Sequence, residues 1–434
     1  MKAMSPTAFW KIVFVVSAFA LIAVGMPTAR IEAQEPYKVC ASMEYTGAVA
    51  DLAQSSQVAF EIARDQINAQ GGILGRPVEL HFRDDKVDPD EGVRLLKEFH
   101  LKIGCDAYML APVGIVQTPQ LRYAKENNLL AFAQQGQDMV YLNDLIYPYY
   151  FIMGPTAMQE AKGLALYVAG KPELKTYATI APDYTWGHSN AEGFVENIKT
   201  MRPDMEMVGQ YWPPTEETEF SSYVTAIMAN KPDVLVTWLF GTTFVGFIKQ
   251  AEGFGLLKAT RVLAWNEFDA VFTSGKDIPS GVTFEMDNEY WTNRMGQNPY
   301  YDQFEKEYTA RRGRPTALWA NQDYDRFMTL MQGIKKAGSF DKDQIAAAIE
   351  GSTFMTLRGP RMMRPIDHAL TTSVYFGTTR YDEELGYADF EDIVEIPYYL
   401  TMVPDEEYVK YREEKGITFQ PIHKDWWKEL PWAE

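Results

Sequence analysis

The chain has 434 residues, a formal net charge of −18 and an aromatic share of 14%. That length is enough for more than one domain with its own core. Acidity on this scale repels nucleic acid and anionic membrane surfaces, so neither is an expected partner.

The first residues stand apart from the rest. Lys2 and Lys11 make a basic start, residues 12–26 (IVFVVSAFALIAVGM) are an apolar run, and small residues follow up to Ala33. A basic region, a short apolar region and a small-residue exit form the pattern of a secretory signal. The alternative is a single membrane anchor, but the run is short of the roughly 20 residues that span a bilayer. Residues 1–33 are therefore expected to be a signal peptide, and the remainder to be exported to the periplasm. No later segment is long and apolar enough to span. Cys40 and Cys105 would then meet an oxidising compartment. Each sits near the start of an expected strand, and both a disulfide and two buried free thiols remain open.

From Tyr37 the chain alternates strands and helices. Tyr37–Met43 reads as a strand, and Leu52, Ala59, Ile62, Ala63 and Ile67 recur at helical spacing. Gly71-Gly72 ends that helix. Residues 78–82 alternate as a strand, Val93, Leu96, Phe99 and Ile103 mark a second helix, and 107–111, 117–127 and 129–133 read as strand, helix and strand. Repeated strand–helix–strand units imply a parallel sheet covered on both faces. Residues 149–153 and Gly154-Pro155 then break the rhythm. A second set follows, with strands at 175–181, 206–211, 234–238 and 261–265 and helices at 187–200, 219–230 and 243–254, up to 281–286. The pattern then turns helical at 299–312, 318–337 and 342–350, and strand-like from Arg358. Two such sets predict an α/β protein of two doubly wound parallel-sheet lobes. Crossings are expected near Gly154-Pro155, Gly281 and Gly359-Pro360.

The stretch Gly71-Gly72-Ile73-Leu74-Gly75 runs from helix to strand, so it lies at the amino end of the first sheet. Ligands bind at the carboxyl ends of strands in such sheets. Its glycines are read as structural, because a phosphate loop runs from strand to helix. The loops to search are 43–51, 83–88, 112–118, 134–138, 182–188, 239–243 and 266–270.

Several of these segments carry a resemblance. "INAQGGILGRPVEL" closely resembles a signature of the periplasmic solute-binding proteins of the Leu/Ile/Val-binding type. "EYTG" sits where that family has its first glycine-containing ligand loop. "DYTWGHS", "FIKQAEGFGL" and "GPRMMRPIDHA" resemble its later motifs, in the right order and with the right gaps over about residues 37–390. The resemblance implies a type I fold: two lobes joined by a three-segment hinge that closes on a small-molecule solute and delivers it to an ABC permease of the inner membrane. It implies an N-terminal lobe of 37–154 and 285–360, a C-terminal lobe of 155–284 and 361–400, an extension at 401–434, and a monomer.

The resemblance also places site residues. The family's paired hydroxyl positions fall on Val116 and Gln117, and the next on Gln135, none of which keeps a hydroxyl. A ligand carboxylate would then be met by the N–H of Gly114 and the amides of Gln134 and Gln135, since neutral donors suffice in a dry cleft. The aromatic wall falls on Trp186 and Phe240, which suits apolar groups and cations. Glu267 matches the carboxylate that takes a ligand ammonium. Tyr45, Tyr184 and Tyr324 are further candidates. Asp84-Asp85 reads as a solvated loop, and His368 as a local partner of Asp367.

Enzyme readings lack support. There is no G-x-S-x-G, H-E-x-x-H or phosphate-loop motif, and the five histidines and two cysteines show no metal-ligand spacing. No catalysis, cofactor or metal is expected. The family resemblance favours an amino-acid-like solute of branched-chain type. The lost hydroxyls favour instead an aromatic acid or an amide. Ligand sensing in place of transport is the other functional reading.

Overall fold

A computed structural model describes residues 34–47, 49–136, 144–265, 274–286, 298–316 and 318–419, leaving aside the side chains of Thr185 and Leu318. The expected signal peptide, Glu267 and the last tryptophans lie outside the described residues.

The first sheet contains β1 (Tyr37–Met43), β2 (Val78–Asp84), β3 (Ala107–Met109), β4 (Ala131–Ala133) and β5 (Tyr150–Ile152) in the order β2-β1-β3-β4-β5. All neighbours are parallel. One face carries α1 (Ala50–Ala69), whose Phe60 and Ile62 pack with Phe132 and Phe151 of the sheet. The other face carries α2 (Pro89–Glu98) and α3 (Gly114–Glu126), where Leu95, Leu96 and Leu121 meet Tyr108 and Ala131. Asp88 starts α2 by accepting the Glu91 N–H at 2.7 Å, which satisfies a donor that has no partner inside the helix. The chain turns from α1 to β2 through Gly72, whose φ is +84°. A Cβ there would lie 2.1 Å from the Arg76 carbonyl oxygen, so this turn requires glycine for shape, as the sequence implied.

The second sheet is seven-stranded. It contains β6 (Thr176–Ile180), β7 (Glu206–Tyr211), β8 (Val234–Thr237), β9 (Arg261–Trp265) and β10 (Thr283–Met286), all parallel. An antiparallel pair, β13 (Val374–Asp382) and β14 (Tyr387–Ile396), adds to β10. Helices α4 (Ala157–Ala169) and α5 (Thr185–Met201) cover one face; α6 (Ser221–Asn230) and α7 (Gly241–Phe254) cover the other. The chain enters this lobe at Gly154, where a Cβ would lie 2.7 Å from the Gln134 carbonyl oxygen. Thr156 and Gln159 then form a reciprocal capping box that starts α4.

After β10 the chain returns to the first lobe. Helices α8 (Pro299–Arg312), α9 (Leu318–Ala337) and α10 (Lys342–Ile349) contribute Phe304, Phe327, Leu330 and Ile345 to its core. A small hairpin follows, β11 (Thr353–Thr356) with β12 (Gly359–Met362). Met363 and Leu370 still pack in the first-lobe core, so the second sheet is re-entered only at Val374, later than a boundary after Pro360. The segment beyond β14 crosses back as well: Ile396 packs in the second lobe, Met402 in the first, and Tyr408 against Ile366.

Cys40 and Cys105 form a disulfide across a sequence separation of 65, which decides between the two alternatives. It ties β1 to the turn before β3. A cross-link of this span restricts the unfolded chain more than the folded one. Replacing both cysteines by alanine is expected to lower the unfolding free energy by about 2–4 kcal/mol in denaturant titrations, and a change near zero would contradict this role.

Candidate functional site

The carboxyl ends of the two sheets face a common region. Val49 and Trp319, both from the first lobe, are 4% and 6% exposed and pack in one apolar cluster with Leu239, Phe244 and Ile248 of the second. Leu52 and Val113 lean on the same cluster. This seam lies beside the loops that follow β1, β3 and β8.

On the second-lobe side, Trp186 is the centre of a group of rings. Its ring is T-shaped to Trp265 at 4.8 Å and to Phe240 at 5.9 Å, and stacked on Tyr184 at 6.0 Å. Tyr184 precedes α5, Phe240 precedes α7 and Trp265 ends β9, so three separate strand ends supply them. The structure thus brings together Tyr184, Trp186 and Phe240, three of the residues named from the sequence. Trp265 was not foreseen, because an apolar residue ending a strand reads as core. Its indole N–H is buried without a hydrogen-bond partner among the described residues.

On the first-lobe side the expected residues separate into distinct roles. Gly114 opens α3. Gln117 is buried, and its amide donates to the Gln135 carbonyl oxygen at 3.2 Å. The Gln135 amide donates in turn to Glu160 of α4 at 3.4 Å, bridging the lobes. Gln134 is buried, and its amide reaches the Trp319 carbonyl oxygen at 3.4 Å. Tyr45 is half-buried and donates to Gln57 at 2.7 Å. Val116 and Tyr324 are corrections. Val116 is fully buried against α2, where a Cβ on Gly92 would lie 2.3 Å from its methyl group. Tyr324 packs tilted against Phe304 at 4.3 Å and donates to Gln66 at 2.6 Å, so it ties α9 to α1. Helical periodicity identifies such residues as inward-facing but does not say which neighbour they meet.

Beneath these loops lies a buried polar layer. Glu44, directly after β1, is fully buried and accepts the Val113 N–H at 2.9 Å. Asp85 is also buried, accepting from the Ser42 hydroxyl at 2.7 Å and the Val87 N–H at 3.0 Å, so it is not the solvated loop acid expected. Arg326 of α9 pairs with Asp323 at 2.7 Å and donates to the Leu110 carbonyl oxygen at 3.0 Å. Burial pushes the Glu44 carboxyl well above its usual range, and the nearby Asp85 charge adds to this. Burial also raises Asp323, against the pull of Arg326. His368, expected beside Asp367, instead meets Glu350 at 2.8 Å and the Tyr150 carbonyl oxygen at 2.9 Å. Among the described residues no group of His, Cys, Asp and Glu could hold a metal ion.

Two of the buried acids set a pH dependence. Burial raises Asp85 to about 6, opposed by the Ser42 hydroxyl, and raises Asp325 to about 6, opposed by Arg358. The folded chain therefore binds more protons than the unfolded chain between the ordinary aspartate value of 3.8 and about 6. Their stabilising contribution is full below that interval and is lost as pH rises through about 6. The wild type is expected to lose stability relative to Asp85→Asn between about pH 4 and 6, with no further relative change above that. Parallel denaturation curves for the two proteins would contradict the assignment.

The comparisons agree with this architecture. The periplasmic binding protein family model matches residues 36–384. The Leu/Ile/Val-binding protein homolog 8 of Brucella abortus (strain 2308) is 25% identical over 324 residues, covering 70% of this chain and 77% of its own. The solute binding protein of an ABC transporter from Rhodopseudomonas palustris BisB5, in complex with 3,4-dihydroxy benzoic acid, superposes with a TM-score of 0.75 at 18% identity, covering 86% of this chain and 99% of its own. LivJ of Streptococcus pneumoniae, in complex with isoleucine, superposes with a TM-score of 0.72 at 18% identity, covering 83% of this chain and 100% of its own. With the motifs, the two sheets and the family match all in agreement, the chain belongs to the periplasmic binding protein family and has its type I fold.

Proposed function

We propose that this protein is the extracytoplasmic solute-binding component of an ABC importer, and that its lobes close by hinge motion on a small organic solute with an apolar body. The observation that carries this reading is the ring group of Tyr184, Trp186, Phe240 and Trp265 at the carboxyl ends of the second sheet, next to the seam with the first lobe. Rings offer a large apolar face at little entropic cost. Closure over them removes the solute from water, which strengthens every polar contact made to it. The closed pair of lobes then presents one joined surface to an inner-membrane permease. No turnover is assigned to the site.

Branched-chain amino acids are the first class to test, because relatives of this branch carry that name and LivJ holds isoleucine. The ring group favours a second class, aromatic acids and amides. Relatives of this fold span both, since one holds isoleucine and another a dihydroxybenzoate.

A solute that binds only the folded form raises the melting midpoint by mass action. A thermal-shift panel of aliphatic amino acids, aromatic acids and amides is therefore expected to give a selective rise. Trp186→Ala is expected to weaken the selected solute by about tenfold or more, the scale of losing a buried aromatic contact. Tyr324→Phe is expected to lower stability by about 1 kcal/mol through its lost hydrogen bond, with solute affinity unchanged. Equal effects of the two substitutions on affinity would contradict the site.

A further inference from the structure

The ring group supports an apolar body for the solute but leaves its polar head group open. The first lobe bears on that head group, provided that the solute-binding reading holds, since the inference rests on it.

In a sheet ordered β2-β1-β3-β4-β5 the strand order reverses between β1 and β3, and the crevice at that point is where ligands of such sheets bind. Glu44 follows β1, Val113 follows β3, and the two are joined by the 2.9 Å hydrogen bond from the Val113 N–H to Oε1 of Glu44. Val113 is the residue that precedes α3. The start of a helix attracts an acid group through its free N–H donors and its dipole. Here the chain supplies that acid itself, from a fully buried side chain.

Of the side chains expected to meet a carboxylate, several are also committed. Val116 packs on Gly92, Gln117 donates to the Gln135 carbonyl oxygen, and Gln135 donates to Glu160. The charged groups that act on Glu44 are Asp85, Asp323 and Arg326. Arg326 is engaged by Asp323 and by the carbonyl oxygens of Leu110 and Phe132. Surroundings that raise Glu44, Asp85 and Asp323 above their usual range disfavour one more negative charge.

We propose that Glu44 is a specificity-determining residue that closes the first-lobe end of the cleft to a carboxylate, so that the solute carries a neutral, amide-type head group on its apolar body. An amide has no charge to desolvate and both donates and accepts hydrogen bonds.

The test uses matched pairs that share a body and differ in the head group: benzoate and benzamide, 3-phenylpropanoate and 3-phenylpropanamide, leucine and leucinamide. Affinities are measured by titration calorimetry on the purified protein and on Glu44→Ser, which frees the Val113 N–H. In the wild type the amide of a responding pair is expected to bind at least about tenfold tighter than its acid. In Glu44→Ser the acid is expected to gain at least about tenfold relative to the amide. An acid that binds the wild type as tightly as its amide overturns the proposal, as does a ratio unchanged in a folded Glu44→Ser. If that variant fails to melt cooperatively, the wild-type pairs alone decide. An acid that binds while its amide does not leaves the solute-binding reading standing and removes this one. Silence from both members of every pair counts against the solute-binding reading and takes the inference with it.

Discussion

The apolar seam between the lobes is the contact on which the rest of the site depends. Val49, Leu52, Val113 and Trp319 leave the first lobe to pack against the core of the second. Each follows a strand end or starts a helix, so the seam fixes the loops at the carboxyl edges of both sheets. Without it Phe240 would lose apolar neighbours, and the bridge from Gln135 to Glu160 would have no fixed span.

Below the seam, the first lobe places acids in its interior that most sheets would keep in water. Isolated buried charges are costly, and proteins answer by pairing or neutralising them. This chain does both. Arg326 neutralises Asp323 and holds the ends of β3 and β4 through the carbonyl oxygens of Leu110 and Phe132. Glu44 and Asp85 are held above their usual range by burial. The same layer that stiffens the strand ends therefore also sets the electrostatic character of the cleft floor. The strongly acidic surface belongs to a separate concern, that of solubility and partners.

Much of this organisation was legible in the sequence, for identifiable reasons. Tyr37–Met43, Glu206–Tyr211 and Arg261–Trp265 were placed to the residue because alternation or a short apolar run ended at clear turn signals. Helices 299–312 and 318–337 were equally plain, since Asn298-Pro299 opens the first and Gly338 closes the second. Trp186 and Phe240 were singled out through the family resemblance and Tyr184 as a further candidate, and the three rings do lie together. What was hidden depends on contacts distant in the chain. Asp85 looked solvated until Ser42, on the neighbouring strand, was seen to reach it. His368 finds Glu350 and β5 in preference to Asp367 beside it. Val116 and Tyr324 fell at the right spacing for a site but on the wrong side of their helices. Trp265 and Trp319 gave no signal, because both read as core aromatics, and Glu44 lay in a loop marked for search without being singled out.

The central claim is that the lobes close on a solute at the seam, and small-angle scattering tests it most directly. The protein would be measured alone and with the solute that most raises its melting midpoint, alongside Trp319→Ala. A smaller radius of gyration with solute in the wild type, and a weaker or absent contraction in Trp319→Ala, is the predicted result. An unchanged radius in the wild type under saturating solute would contradict closure.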